Sequence, residues 1–234
     1  MSDLRTVDVD GVRLAYRMTG DPKAPPMVLL HALGEDGATW DEVTAAFSGS
    51  RRVYAPDLRG HGGSDWPGDY SLERMRDDVV AFLDGLDLDG VTLIGHSLGG
   101  AVAYLVAEDH PRRVDRLVLE DVAPPLPRVR AVPERPAGPL PFDWGVVLAV
   151  HEQLADPLPA WWDRVTEITA PTLIIAGGPD SHIPQHQLAD AAGRISDCRL
   201  VTIAAGHEVH ATRPAEFRTE VAGFLQGPRG CDGS

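Results

Sequence analysis

The 234-residue chain contains two cysteines, Cys198 and Cys231, and a single lysine, Lys23. Two cysteines, one of them in the glycine-rich tail, exclude a disulfide framework and fit a reducing compartment. Aromatic residues make up 6% of the chain. No apolar run approaches the ~20 residues of a membrane span. The start, Met1-Ser2-Asp3-Leu4-Arg5, lacks the basic-then-apolar layout of a secretory signal, so a cytoplasmic protein is expected. No internal repeat is apparent. Basic residues are also scarce: 21 Lys and Arg face 35 Asp and Glu, a formal net charge of −14. Nucleic acid is therefore not an expected partner, because phosphate binding needs a basic face. The charge also disfavours steering of highly anionic ligands, and its plainest role is solubility. No His-Glu-x-x-His pattern occurs. His182, His186, His207 and His210 beside Asp180 would be the ligands of a metal reading, but their spacing demands none and no metal is expected.

What is present is an alternation of apolar runs and helical patterns. Leu4 to Asp10 and Val12 to Met18 alternate in polarity around Asp10-Gly11, which predicts a hairpin. Met27–Leu30, Arg52–Ala55, Val91–Ile94, Leu117–Leu119, Thr172–Ala176 and Leu200–Ile203 read as further strands. Their continuous apolar character is that of strands buried on both faces of a parallel sheet. Between them Ser71 caps a helix whose stripe is Met75, Val79, Phe82, Leu83 and Leu86. Other helices are expected at about 100–109, 185–193 and 214–225. The fold class is therefore α/β: an open, mostly parallel sheet with flanking helices.

One stretch breaks the alternation. Seven prolines (124, 125, 127, 133, 136, 139 and 141) exclude regular helix or central strand over 123–141. Phe142, Val146, Val150 and Leu154 then recur every four residues, and a second short helix is expected near Trp161. The organisation expected is a core of 1–122 and 169–226, a short helical lid of 123–168 and a flexible tail of 227–234. Trp144, Trp161 and Trp162 lie in the lid, where they could line an apolar pocket or pin the lid to the body.

In open α/β sheets sites form beyond the carboxyl ends of the strands. Gly95-His96-Ser97-Leu98-Gly99-Gly100 follows the run 91–94 and opens a small-residue helix. The glycines permit a tight strand-to-helix turn, and Ser97 sits at its tip. A serine hydroxyl needs a base, and the base an orienting acid. His207 follows the final strand, with His210 as a rival. The acid expected is Asp180, on the loop after 172–176, with Asp121 at the end of an earlier strand as the alternative. The backbone N–H groups of Leu98 and Leu33 would hold an oxyanion. His31 and His96 flank these loops and are candidates for lining a substrate pocket, as are Trp144 and Trp161; His96 could instead brace the turn, and His210 serve as a packing neighbour.

Taken with His31-Ala32-Leu33-Gly34, Asp57-Leu58-Arg59-Gly60-His61-Gly62-Gly63-Ser64 and Gly206-His207-Glu208-Val209-His210, these segments resemble the α/β-hydrolase superfamily over about residues 5–226. The chain looks most like its bacterial esterase, lactonase and perhydrolase-like members. Where many relatives carry His-Gly after the third strand, this chain has His31-Ala32, a feature similar to 3-oxoadipate enol-lactonases. The resemblance implies a cofactor-free serine hydrolase acting on a small ester or lactone, as a monomer or small homo-oligomer. Serine at 97 sets the chain apart from epoxide hydrolases and haloalkane dehalogenases, whose nucleophile is an aspartate. A C–C bond hydrolase, a thioesterase, a cofactor-free haloperoxidase or perhydrolase, and a non-catalytic ligand-binding protein remain alternatives.

Overall fold

The computed structural model describes residues 4–127, 131–157 and 160–227. Eight strands form one sheet in the order β1-β2-β4-β3-β5-β6-β7-β8. β1 (Leu4–Val9) and β2 (Val12–Thr19) make the expected hairpin, and β2 pairs antiparallel with β4 (Arg52–Pro56). From there every pairing is parallel, through β3 (Pro26–Leu30), β5 (Val91–His96), β6 (Val114–Glu120), β7 (Thr172–Ala176) and β8 (Cys198–Thr202). The mostly parallel α/β sheet read from the sequence is thus present.

Side-chain alternation within the apolar runs divides the core between the two sheet faces. Val28, Leu30, Leu93, Leu117 and Ile174 point to one face, where α2 (Leu72–Gly85) and α3 (Leu98–Asp109) cover them. Met27, Leu29, Ile94, Val118 and Leu173 point to the other, packing with Val43 and Phe47 of α1 (Asp41–Phe47) and Phe217 and Val221 of α8 (Pro214–Gln226). Ser71 caps α2 as expected, accepting from the Arg74 N–H at 3.1 Å. The Gly37–Trp40 turn and α1 were not expected from the sequence. Only Val43 and Phe47 of α1 are buried, too few to make a readable apolar stripe.

Residues 123–168 enter between β6 and β7, as the proline run requires. They carry α4 (Trp144–Ala155) and α5 (Trp161–Arg164). The Tyr70 hydroxyl donates to Asp143 Oδ2 at 2.6 Å, and Gln153 accepts from the Leu72 N–H at 2.8 Å, so α4 is tied to the start of α2. α6 (Gln185–Arg194) and α7 (Val209–Thr212) complete the chain order. The expected tail, 227–234, lies outside the described residues apart from Gly227. Among the described residues no helix is long and apolar enough to cross a membrane.

Candidate active site

The turn after β5 is built by close backbone approach. A Cβ on Gly95 would strike the Gly99 carbonyl, and one on Gly99 would strike the carbonyls of Leu30 and His31. The absence of side chains there lets α3 start directly against β3, with the Gly99 N–H donating to the His31 carbonyl at 3.0 Å. Ser97, at the tip, has φ 49° and ψ −110°, a conformation costly for a residue with a side chain.

Asp121 shares that peculiarity, with φ 45°. It immediately follows β6 and is fully buried. Four donors converge on its carboxylate. His207 Nδ1 lies 2.7 Å from Oδ2, the Gly177 N–H 2.8 Å from Oδ1 and Gln185 Nε2 3.3 Å from Oδ1, while the Ser181 hydroxyl donates to Oδ2. Burial alone would raise its pKa. The hydrogen bonds from His207, Ser181, Gly177 and Gln185 outweigh burial and hold it below the usual carboxylate range.

This corrects the sequence reading. Asp180 sits exposed on the loop after β7, and the acid facing His207 is Asp121. The loop after β7 still contributes, but through the Gly177 N–H, Ser181 and Gln185, which seat the Asp121 carboxylate.

A cavity of about 420 Å³ opens above Ser97. Its walls include Leu33, Leu98 and Asp121, Val150 and Leu154 of α4, and His182. Among the described residues the N–H groups of Leu33 and Leu98 have no hydrogen-bond partner, and Leu98 is the first residue of α3, where the helix leaves its donors free. The His207 ring packs 4.2 Å from the His182 ring. No hydrogen bond joins Ser97 to His207 among the described residues; in unliganded sites such bonds commonly tighten only with substrate.

The other residues expected to line a pocket do not. His31 is fully buried, with Nδ1 donating to the Ala32 carbonyl at 2.7 Å and Nε2 accepting from the Leu58 N–H at 2.9 Å. Burial pushes its pKa down to about 4, so it is a neutral strut between two strand-end loops. His96 is also fully buried, against the backbone of His207. Trp161 packs into a crevice with Tyr104 and Glu108, away from Ser97. Trp144 is absent from the cavity wall, and Trp162 donates to the Pro125 carbonyl at 3.1 Å. The tryptophans that contact the body pin the segment rather than line the cavity. Apolar Val150, Leu154, Leu126 and Ile183 take that part instead; the first two belong to the four-residue repeat visible in the sequence.

A family model described as alpha/beta hydrolase fold matches residues 25–144. The chain is 43% identical over 112 residues to an uncharacterized protein of Mycobacterium tuberculosis, a match covering 47% of this chain and 32% of that one. The match thus spans about a third of that relative's length. It is 26% identical over 272 aligned positions to the mouse sn-1-specific diacylglycerol lipase ABHD11, covering 96% of this chain and 89% of the lipase. Among solved structures, a hydrolase from Pseudomonas aeruginosa PA01 superposes with a TM-score of 0.83 at 27% identity, covering 96% of this chain and 99% of that one. The enol-lactonase from Burkholderia xenovorans LB400 gives 0.83 at 25% identity, with 95% and 100% covered.

Proposed function

The chain belongs to the α/β-hydrolase fold family, and from that premise we propose that it is a serine hydrolase cleaving a small carboxylic ester or lactone through an acyl-enzyme on Ser97. The observation that carries this reading is that Ser97, with its strained backbone, and the buried Asp121, which holds the half-buried His207 ring, line one cavity of mostly apolar wall. A diacylglycerol lipase and an enol-lactonase are among the similar proteins, in keeping with this reading.

In this mechanism His207 Nε2 takes the Ser97 proton as Oγ attacks the carbonyl carbon. Asp121 holds the Nδ1 proton, fixing the tautomer and stabilising the imidazolium. The oxyanion is received by the N–H groups of Leu98 and Leu33. His207 then returns the proton to the leaving alkoxide. Water, deprotonated by His207, attacks the acyl-enzyme, and collapse regenerates Ser97 and releases the acid. The chain's own groups carry each step. We take 123–168 as a lid, because Val150, Leu154 and the Val122–Pro127 stretch roof the cavity with apolar surface suited to an acyl or alcohol group.

The test is multiple turnover of short p-nitrophenyl esters and lactones, set beside thioesters, a diketone, and peroxide with halide. The reading expects esters or lactones to turn over best, and Ser97→Ala to lower kcat by about 10⁴-fold or more with the fold intact by circular dichroism. Undiminished turnover by Ser97→Ala overturns the mechanism. A single stoichiometric labelling without turnover points to a binding protein on this scaffold.

A further inference from the structure

Among the buried titratable side chains that the mechanism does not use, three gather around the chain that follows β8: His96, Glu120 and His210. Glu120 ends β6 and Asp121 follows it, and each takes one histidine from the segment after β8, His207 from its loop and His210 from α7. Asp121 holds His207, while Glu120 holds His210. Both Glu120 oxygens lie 2.9 Å from His210 Nδ1, and Oε1 also accepts the His210 backbone N–H at 2.8 Å. On its far side His210 Nε2 lies 3.2 Å from Thr39 Oγ1, and the Trp40 indole stacks on its ring at 4.2 Å between centroids.

His96 reaches the same loop from β5. Its Nε2 lies 2.9 Å from the His207 carbonyl oxygen. A carbonyl oxygen only accepts, so Nε2 carries the proton and donates. Burial lowers the His96 pKa, which keeps the ring neutral. Its Nδ1 has no partner, the nearest acid being Glu35 with Oε2 at 4.0 Å.

None of the three lines the cavity, and each is 0–2% exposed. They grip the backbone at two points, the carbonyl of 207 and the N–H of 210, so they act on the chain that carries the base rather than on substrate. We propose that His96, Glu120 and His210 form a positioning device that fixes the backbone of residues 207–210 and thereby holds the His207 ring in register with Ser97 and Asp121. The proposal rests on the serine-hydrolase reading above. Its physical motive is that a displacement of about 1 Å at a catalytic group costs on the order of 10²-fold in rate. Burial opposes charge on both members of the His210–Glu120 pair, yet their mutual attraction and hydrogen bonds keep His210 above, and Glu120 below, its ordinary pKa. Burying such a pair costs desolvation, and in the proposed device that cost is met by the fixed backbone geometry the pair imposes.

The experiment compares His96→Phe, His96→Gln and Glu120→Gln with the unaltered protein on a p-nitrophenyl ester, with Ser97→Ala as reference. The device predicts that His96→Phe lowers kcat about 10- to 100-fold with KM within about twofold. His96→Gln, which restores a donor near the Nε2 position, should recover at least about tenfold of that loss. Glu120→Gln should lower kcat in the same way if it folds, and the uncharged His96 pair keeps the proposal open to refutation if it does not. Wild-type kcat in His96→Phe, whatever its melting temperature, overturns the device while leaving the mechanism standing. Loss of rate that His96→Gln does not recover also overturns it. Activity in Ser97→Ala removes the mechanism and the device together. Stoichiometric metal in the purified protein that disappears in Glu120→Gln would make the cluster a metal centre and overturn the positioning role.

Discussion

The end of β6 and the loop after β7 each offer an aspartate to the same histidine loop, and the two could hardly be placed more differently. Asp121 is fully buried, holds a left-handed backbone and collects four donors. Asp180 is exposed on its loop. A carboxylate that must orient an imidazole gains from exclusion of water, because hydrogen bonds and charge are worth more in a low local dielectric. The loop after β7 has a different part: it turns its backbone and its Ser181 and Gln185 side chains towards the acid from the neighbouring strand. Here the orienting acid is picked out by burial and donor count rather than by the loop on which an aspartate falls.

That contrast can be attacked at the seat of Asp121. A Cβ on Gly177 would collide with the Gly206 carbonyl and lie 3.1 Å from Asp121 Oδ1. Gly177→Ala should therefore displace both the acid and the His207 loop. The expected loss is about 100-fold in kcat together with about 1–3 kcal/mol of stability, read from urea denaturation. An alanine variant with wild-type rate would mean that the seat does not matter.

Burial should also separate the histidines by their response to acid. His31 and His61 are buried with pKa values pushed down by desolvation to about 4 and about 3. An unfolded chain takes up these protons below about pH 6.5 and the folded chain does not. The stability they permit is thus fully present above about pH 6.5 and is lost as pH falls towards 4. For His31 alone the loss between pH 7 and 5 is about 2 kcal/mol. Urea midpoints at pH 7 and pH 5 should drop accordingly, and His31→Gln, which does not titrate, should drop less.

A smaller effect on the rate than that of Gly177→Ala is expected of Ser181→Ala. It removes one of the four donors from Asp121 and leaves three. A hydrogen bond to a charged group contributes about 1.5–3 kcal/mol, part of which water recovers, so kcat should fall about tenfold or less. A loss as deep as that of removing the acid itself would show that Ser181 does more than seat it.

Much of this was legible in the sequence because several of the parallel strands carry a short, buried run of mostly apolar residues. Runs such as Val91–Ile94 and Thr172–Ala176 announce burial on both faces, and the glycines around Ser97 announce a turn that side chains would block. Ser97 and Leu98 follow β5, Leu33 follows β3 and His207 follows β8, all at carboxyl ends of strands. The acid was ambiguous because two strands end near an aspartate, and burial is a property of the packed sheet that local sequence does not carry. His31 was placed in the pocket and His96 left between pocket and turn for the related reason that a histidine beside a glycine turn can point either into the cavity or under it. For the tryptophans the sequence left pocket lining and pinning both open, and Trp161 fills a crevice against α3. Helix α1 was missed because a seven-residue element with two buried side chains has almost no period.

The most direct measurement is kcat on one short p-nitrophenyl ester for Asp121→Asn and Asp180→Asn, side by side with the unaltered protein. Asp121→Asn should lower kcat by about 10³- to 10⁴-fold, because an amide accepts and donates at the wrong tautomer of His207. Asp180→Asn should stay within about twofold, as expected of an exposed surface change. The reverse ranking, or two variants with equal rates, would contradict the assignment of Asp121 as the acid that orients His207.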